Sequence, residues 1–181
     1  PILLCVATDG YSAFWDFCLE SHKRYCARHA IERRVVLQKI GGLNGWWTKL
    51  QAARELLDAG HTVLVIDADT EISSSAPHFA SAMTDESKGI FVARGISDRA
   101  NSGVMMLRGA PQRQALDFLD ECLRQREQPI DSDCFVTAEG ENGHIIHFLK
   151  RQPYVGYFSF LDRSWNCSIP EEAASAHIRH F

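Results

Sequence analysis

Two carboxylates, Asp67 and Asp69, lie at the end of an apolar run in the stretch HTVLVIDADTEI. Residues two apart on an extended chain point to the same side, so both carboxylates can face one point. Carboxylates this close repel each other, and a divalent cation between them removes the repulsion. Oxygen ligands suit hard ions, so the pair indicates an Mg²⁺ or Mn²⁺ site. Acidic residues after a strand are also common helix caps and turn formers, and the spacing alone favours neither interpretation.

The elements around this pair predict a sheet that carries it to a ligand-binding edge. The run at residues 63–66 is typical of a strand buried on both faces of a parallel sheet. A second apolar run, at residues 2–8, breaks at Asp9-Gly10 and predicts a first strand that ends beside the Asp67 strand. Open α/β sheets bind ligands at the carboxyl ends of their strands. We therefore expect both strands to end at the candidate site.

Helical and extended patterns alternate along the rest of the chain. The first half predicts helices at residues 11–28 and 46–60, a strand at 33–37 and a glycine-rich loop at 41–45. The second half predicts a surface connection at 73–88, strands at 89–94 and 102–107 around a loop at 95–101, a helix opened by Pro111, and a short helix at 144–150. This order predicts an α/β fold with a mainly parallel central sheet flanked by helices.

Two residues near the predicted edge have both an ordinary and a functional interpretation. Lys49 lies near the start of the second helix, where a cation is mildly unfavourable to the helix dipole. It is either a solvated side chain or a partner for a phosphate at the helix start. Tyr11 is either a packing residue or a ring that stacks on a nucleotide base.

Bulk properties narrow the classes of partner. With 181 residues the chain is most simply one domain. The net charge is −4 and the basic residues are scattered, which argues against nucleic acid or an anionic membrane as the main partner. The six cysteines form no CxxC pair and look like buried apolar residues. No apolar run is long enough to cross a bilayer. Because the chain starts at Pro1 without Met, we expect a piece of a longer protein.

Three short patterns are weaker. Histidines three apart occur at His144/His147 and at His177/His180, and such pairs either bind zinc or arise by chance. The tripeptide Asn166-Cys167-Ser168 fits the acceptor pattern for N-glycosylation, which has many false matches.

Five blocks of the chain, taken in order, resemble the metal-dependent glycosyltransferases of GT-A fold, especially glycogenin-like enzymes and related galactosyl- and mannosyltransferases. The DxD motif of that family is matched by Asp67-Ala68-Asp69 and its strand. The other matching blocks are Thr48-Lys49-Leu50 for the family's TKL, ANSGVM at 100–105 for its NSGV, Glu141-Asn142-Gly143 for its DQG, and AHIRHF at 176–181 for its terminal HF strand. The resemblance spans residues 2–181.

The resemblance implies a role for each matched residue. Asp67 and Asp69 would bind Mn²⁺ or Mg²⁺ together with His180, and the ion would hold the diphosphate of a UDP-sugar. The nucleotide pocket would be lined by Ala7, Thr8, Asp9, Tyr11 and Ala68. Phosphate or sugar would contact Lys49, and the sugar and acceptor side would be formed by Asn101, Ser102 and Gly103, with Gly103 allowing close approach of the backbone to the sugar.

One block departs from the family pattern. The family's Asp-Gln is Glu141-Asn142 here, with the two side-chain lengths exchanged. These residues are the candidate catalytic pair, together with Lys49, and Asp133 is an alternative occupant of the same role. The relatives retain anomeric configuration, and the exchange weakens the transfer of that property to this chain.

The resemblance thus implies a single GT-A catalytic domain over residues 1–181, with a nucleotide-binding amino-terminal half and an acceptor-side carboxyl-terminal half. Its reaction would move a hexose from a UDP-sugar to a carbohydrate or protein hydroxyl. The compartment would be the cytoplasm, or the Golgi lumen if the native protein carries an amino-terminal anchor.

Two alternatives differ in class. The first is a binding module of the same fold that has lost turnover, which the altered Glu141-Asn142 block motivates. The second is a haloacid-dehalogenase phosphatase, which also begins with an Asp-x-Asp after a strand. That family has DxDxT, whereas Glu71 stands at the threonine position here, and the motif lies about a third of the way along the chain.

Overall fold

A six-stranded sheet forms the centre of the computed structural model, which describes residues 1–181. The strands are β1 (Ile2–Val6), β2 (Glu32–Val36), β3 (Val63–Asp67), β4 (Thr70–Ile72), β5 (Ile90–Arg94), β6 (Ala100–Leu107), β7 (Phe158–Phe160) and β8 (Ile178–His180). The central sheet has the order β2-β1-β3-β6-β5-β7, and β4 pairs with β8 in a small second sheet. The helices are α1 (Tyr11–Phe14), α2 (Asp16–His29), α3 (Gly45–Asp58), α4 (Gln114–Arg124) and α5 (Asn142–Leu149). None of them has the length and apolar character needed to cross a bilayer.

Strand direction decides which residues meet at the edge of the sheet. The strands β1, β2 and β3 run parallel, with Val6 opposite Asp67 where β1 and β3 end. In contrast, β6 runs antiparallel to β3 and to β5, and Ile66 pairs with Val104. The amino-terminal end of β6 therefore lies beside the carboxyl end of β3. The prediction of a mainly parallel sheet is confirmed. The antiparallel direction of β6 was not predicted, because burial on both faces does not indicate strand direction.

The central strands fill a core on each face of the sheet. Val63 and Val65 pack with α3, α4 and α5, whereas Leu64 and Ile66 pack on the α2 side. All four are fully buried, and each such side chain contributes about 1.5–3 kcal/mol to folding. The prediction that this strand is buried on both faces is confirmed. Asp67 is the first side chain of the strand with access to solvent.

Helix α3 forms as its sequence pattern predicts. The Asn44 side chain accepts a hydrogen bond from the backbone N–H of Trp47 and caps the first turn. The predicted apolar face is buried, and the chain leaves the helix at Gly60 with φ of 87°. Because this helix packs directly on β1 and β3, its first turn lies at the site edge of the sheet.

The first predicted helix is two helices in the structure. Trp15 separates α1 from α2, with φ of −110° and ψ of 34°, outside the helical range. Its ring stacks on that of Phe181, with 5.9 Å between the centroids. A contact 166 residues away in sequence therefore accompanies the break, and no local pattern could indicate it.

Three further predictions were wrong, two about element boundaries and one about burial. Pro111 does not open a helix, because the chain turns at Ala110 and Pro111 and α4 begins at Gln114. The predicted surface connection at 73–88 is partly buried, since its apolar residues enter the α2-side core, namely Ala76, Phe79 and Met83. The loop predicted at 95–101 is shorter, because β6 already starts at Ala100.

Candidate active site

A cavity of about 370 Å³ opens at the edge where β1 and β3 end. Predicted site residues line it on two sides. Thr8, Asp9 and Tyr11 follow β1, and the DxD residues run from Asp67 at the end of β3 to Ala68 and Asp69. Lys49 of α3 also lines the cavity. Ala7 is different, because it is buried and packs in the α2-side core. The structure thus brings the predicted nucleotide and metal residues to one cavity, with Ala7 supporting it from behind.

Asp67, Asp69 and His180 meet at this edge. A ligand atom from each lies within 4.8 Å of the other two. The small second sheet makes this possible, because β4 follows Asp69 directly and pairs Thr70 with His180. The backbone N–H of Phe181 also donates to the carbonyl of Asp69 at 3.1 Å. Two segments more than a hundred residues apart in sequence are thereby fixed against each other.

Lys49 is buried, with 2% of its surface exposed. Its ammonium Nζ lies 2.6 Å from Asp67 Oδ1 and 2.8 Å from Glu141 Oε1, and it donates to the carbonyl of Ser102 at 3.3 Å. Burial alone would lower the pKa of Lys49, but the charges of Asp67 and Glu141 outweigh it and raise the pKa. The interpretation of Lys49 as an exposed, solvated side chain is wrong. Its three donors are in use, which favours a role in positioning Asp67.

The charges at this edge do not balance within the protein. Asp67, Asp69 and Glu141 supply three negative charges and Lys49 one positive charge, so the net charge is −2 with His180 neutral and −1 with His180 protonated. Burial raises the pKa of Asp67, against the opposing charge of Lys49. Burial also raises the pKa of Asp69, but the hydrogen bond and charge of His180 outweigh it and lower the pKa. Two carboxylates, one imidazole and this excess charge fit a divalent cation.

His180 responds to the same carboxylates. Burial lowers its pKa, but the Asp69 carboxylate, which accepts a hydrogen bond from the protonated ring, and the charges of Asp67 and Asp69 outweigh burial and raise it. Its Nε2 lies 3.4 Å from Asp69 Oδ1, and its Nδ1 lies 2.9 Å from Asn166 Oδ1. One ring nitrogen therefore faces the two carboxylates and the other faces away from them.

The candidate catalytic pair meets the start of β6. Glu141 is buried, and its carboxylate accepts a hydrogen bond from the Ser102 hydroxyl at 2.6 Å. Asn142 Oδ1 accepts from the Ser102 backbone N–H at 2.9 Å, and its amide donates to the carbonyl of Ala100 at 3.3 Å. Both side chains thus fix β6 beside the site. The alternative residue, Asp133, lies on the surface in an ion pair with Lys150 at 2.7 Å.

Gly103 is needed for a reason that the sequence did not reveal. A Cβ at this position would lie 2.3 Å from His180 Cε1 and 2.7 Å from its Nδ1. We expected Gly103 to allow close approach to a sugar, but the space beside its Cα is filled by the His180 ring. The missing side chain therefore makes room for a candidate metal ligand.

Six residues of the cavity were not predicted from the sequence as site residues, namely Val6, Lys39, Asn44, Gly45, Trp46 and Glu139. Lys39 forms an ion pair with Asp9 at 2.9 Å, and this contact lowers the pKa of Asp9. Asn44 and the Trp47 ring both donate to the carbonyl of Glu139, at 3.0 and 3.1 Å. The cap pattern at Asn44 was the one available signal, since it places the first turn of α3 at the sheet edge. Residues 39 and 139 lie in irregular segments without a pattern to read.

Neither histidine pair enters a candidate metal cluster as a pair, because His147 and His180 each lie in a different cluster without the partner histidine. His144 and His147 contact backbone groups of one loop, the carbonyl of Gln128 and the N–H of Asp131. The cysteines are all free and buried, as predicted. Asn166 is 3% exposed and bonded to two side chains, which contradicts a glycosylated asparagine.

The fold is shared with solved glycosyltransferases, although no family model and no curated protein matches the sequence. A glycosyltransferase involved in glycosylation of the major capsid of PBCV-1 matches with a TM-score of 0.73 and 17% identity, over 99% of this chain and 93% of that one. Mouse xyloside xylosyltransferase 1 matches at 0.60 and 13%, over 99% and 96%. The galactosyltransferase LgtC, in complex with donor and acceptor sugar analogues, matches at 0.61 and 12%, over 100% and 87%.

The fold is the GT-A fold. The prediction of an α/β fold of this type is confirmed by these matches along nearly the whole chain. At these identities the likeness establishes architecture, and the chemistry has to be argued from the residues of the site.

Proposed function

We propose that this protein is a metal-dependent glycosyltransferase that moves a hexose from a UDP-sugar to a hydroxyl of a carbohydrate or protein acceptor. The observation that carries the proposal is the cluster of Asp67, Asp69 and His180 at the cavity edge of a GT-A fold. Its oxygen and imidazole donors and its excess negative charge suit Mn²⁺ or Mg²⁺.

Each group of residues at the site has a separate role. Thr8, Asp9 and Tyr11 bind the nucleoside in the cavity, with Tyr11 half exposed and available to stack on the base. A cation bound by the cluster would stabilise the negative charge that develops on the departing diphosphate. Lys49 fixes the Asp67 carboxylate through a buried ion pair, and Glu141 and Asn142 fix the start of β6.

The test is the loss of one carboxylate. Asp69→Ala should abolish sugar transfer and also Mn²⁺-dependent binding of UDP in calorimetry, because the cation loses a ligand. The control is Asp117→Ala, which removes an exposed carboxylate paired with Arg113 on α4 and should change neither quantity. Full transfer activity in Asp69→Ala would refute the proposal. If transfer occurs, the anomeric configuration of the product by NMR tests whether the reaction is retaining.

A second candidate function is a nucleotide-sugar-binding module without turnover. It is favoured by the contacts of Lys49, which lines the cavity but has its ammonium engaged by two carboxylates and a carbonyl, so that it is not a free cation for a phosphate. The two functions differ in one measurement. Binding of UDP with Mn²⁺, combined with no detectable hydrolysis or transfer from any UDP-hexose, would support the module.

A further inference from the structure

Three hydrogen bonds connect the start of β6 to the His180 ring. The backbone N–H of Gly103 donates to Asn101 Oδ1 at 2.8 Å. The Asn166 amide Nδ2 donates to the same oxygen at 3.1 Å. Asn166 Oδ1 then lies 2.9 Å from His180 Nδ1. The chain of contacts therefore runs from a backbone group, through two amides, to a candidate metal ligand.

The direction of every bond in this chain follows from its first member. A backbone N–H can only donate, so the Asn101 atom that it meets must be the oxygen. That oxygen can accept from Asn166 but cannot donate to it, so Asn166 must present its NH₂ group there. Asn166 then turns its own oxygen toward His180, and Nδ1 must carry the proton that this oxygen accepts.

This assignment leaves Nε2 as the nitrogen that faces the carboxylates. Nε2 lies 3.4 Å from Asp69 Oδ1, and in the neutral ring a proton on Nδ1 leaves the Nε2 lone pair available to a cation. The opposite amide orientation of Asn166 would offer a donor to Nδ1, move the proton to Nε2 and block that lone pair.

Asn166 is itself firmly placed. It is 3% exposed and follows the 3-10 segment Arg163–Trp165. The next residue, Cys167, donates its N–H to Ile178 and accepts from the N–H of His180, both at 2.9 Å, so this segment lies directly along β8. The backbone contacts fix the distance between residues 166 and 180, and the side-chain contact fixes the orientation of the His180 ring.

We infer that Asn166, oriented by Asn101, is a positioning residue that fixes the His180 tautomer and ring so that Nε2 binds the divalent cation. The inference rests on the proposed metal-dependent function and assigns a partner to its histidine ligand. It also assigns the side-chain oxygen of Asn101 to this relay, whereas the resemblance places Asn101 along the sugar. Residues that orient a metal-bound histidine typically change metal affinity about 10–100-fold when removed.

The test compares two substitutions of Asn166, one that removes the acceptor for Nδ1–H and one that keeps it. Asn166→Leu removes the acceptor for Nδ1–H, whereas Asn166→Asp keeps an acceptor at that place. In titrations of the protein with Mn²⁺ alone, followed by electron paramagnetic resonance, Asn166→Leu should bind about 10–100-fold more weakly than the wild type. Asn166→Asp should bind at least ten times more tightly than Asn166→Leu. Equal affinity in the wild type and Asn166→Leu, or an equal loss in both variants, would overturn the inference.

A control separates this role from a general loss of stability. Tyr25→Phe removes a buried hydroxyl that donates to Pro77 and accepts from the N–H of Phe79, away from the cavity. It also removes two buried hydrogen bonds, so it should lower the midpoint of thermal unfolding and leave the Mn²⁺ affinity unchanged. A parallel loss of Mn²⁺ affinity in Tyr25→Phe would show that the effect at Asn166 is not specific.

A second readout does not require the cation. In metal-free protein labelled with ¹⁵N-histidine, His180 should give a slowly exchanging Nδ1–H signal, assigned by its absence from His180→Gln. The signal should disappear in Asn166→Leu and persist in Asn166→Asp. Its absence from the wild type would overturn the relay whether or not Mn²⁺ binds. A wild type that shows the signal but binds no Mn²⁺ would instead refute the metal dependence and leave the relay standing.

Discussion

Two groups of side chains in this protein bring three possible metal-ligand atoms equally close together. They differ in whether hydrogen bonds leave a histidine lone pair free to bind an ion. Asp67, Asp69 and His180 form one group, and Asp131, Cys134 and His147 form the other, each with three ligand atoms within 4.8 Å. In the first group, Nδ1 of the histidine contacts Asn166 and Nε2 faces Asp69.

In the second group, the nitrogen that faces the carboxylate is already used. His147 Nδ1 accepts from the Asp131 backbone N–H at 3.1 Å, and this same nitrogen lies 3.2 Å from Asp131 Oδ2. The Asp131 carboxylate pairs with Arg151 at 3.0 Å through each oxygen. Burial raises the pKa of Cys134, which keeps the thiol protonated and a poor ligand. Proximity of ligand atoms is thus not enough to indicate a metal site. The first group is the better candidate, because it has a free histidine lone pair and carboxylate charge that no cation of the protein balances.

The largest difference between the groups should appear in the free energy of unfolding when the lysine next to each group is replaced. Lys49→Met leaves Glu141 buried without its ion pair, and breaking a buried pair in this way costs about 3–5 kcal/mol. We expect that loss in the free energy of unfolding, measured with urea. The matched change is Lys150→Met, which removes an exposed partner of Asp133 next to the second group and should leave the stability unchanged. Equal losses in both variants would contradict the contrast.

A buried histidine behind the first group should make stability depend on pH. His22 is fully buried under β4, with Nε2 2.6 Å from the Thr70 carbonyl and Nδ1 without a partner. Burial lowers the pKa of His22 from 6.5 to about 4. The folded state therefore keeps it neutral while the unfolded state binds a proton, so stability is lost as the pH falls from 6.5 toward 4.

The loss of unfolding free energy is set by the difference between the pKa of His22 in the folded state and in the unfolded state. It is at most about 3 kcal/mol. The free energy of unfolding, measured with urea across this interval, should fall in the wild type, and the slope should be smaller in His22→Asn. An unchanged slope in the variant would assign the pH dependence to other groups.

Gly103 provides a steric test of the same group. Gly103→Ala places a Cβ 2.3 Å from His180 Cε1, so the ring must move away from the position that Asn166 sets. We expect Mn²⁺ affinity to fall about 100-fold, at the upper end of the effect of misplacing a metal ligand. Gly156→Ala is the control, because no atom beyond its neighbours in the chain lies within 4 Å of its added Cβ. Wild-type Mn²⁺ affinity in Gly103→Ala would show that the ring tolerates displacement.

The sequence predicted the parts of this site that depend on local pattern. Burial of residues 63–66 on both faces is visible in the chain itself, and it places Asp67 at the end of β3. The resemblance added His180, and the structure brings it to the two aspartates. The position of His180 follows from pairing of β4 with β8, and pairing between distant short strands leaves no periodic signal of its own.

The sequence could not predict the contacts that select a function for each side chain. Lys49 looks like any exposed lysine of a first helical turn, because its burial depends on two acids from other segments, Asp67 and Glu141. Asn166 matched only a glycosylation pattern, because its real partners come from β6 and β8. Side-chain hydrogen bonds between distant elements depend on orientation, which neither composition nor periodicity encodes.

The smallest expected effect gives the most direct test of the comparison. His147→Gln removes the histidine of the second group, whose Nδ1 is already committed to a backbone N–H. Since that group has no free imidazole lone pair toward Asp131 and no uncompensated carboxylate, Mn²⁺ titration should give the same affinity and stoichiometry as the wild type. His180→Gln, the same substitution in the first group, should lower the affinity instead. A fall in stoichiometry in His147→Gln would mean that the second group binds the ion, and free lone pairs would then not be the feature that separates the two.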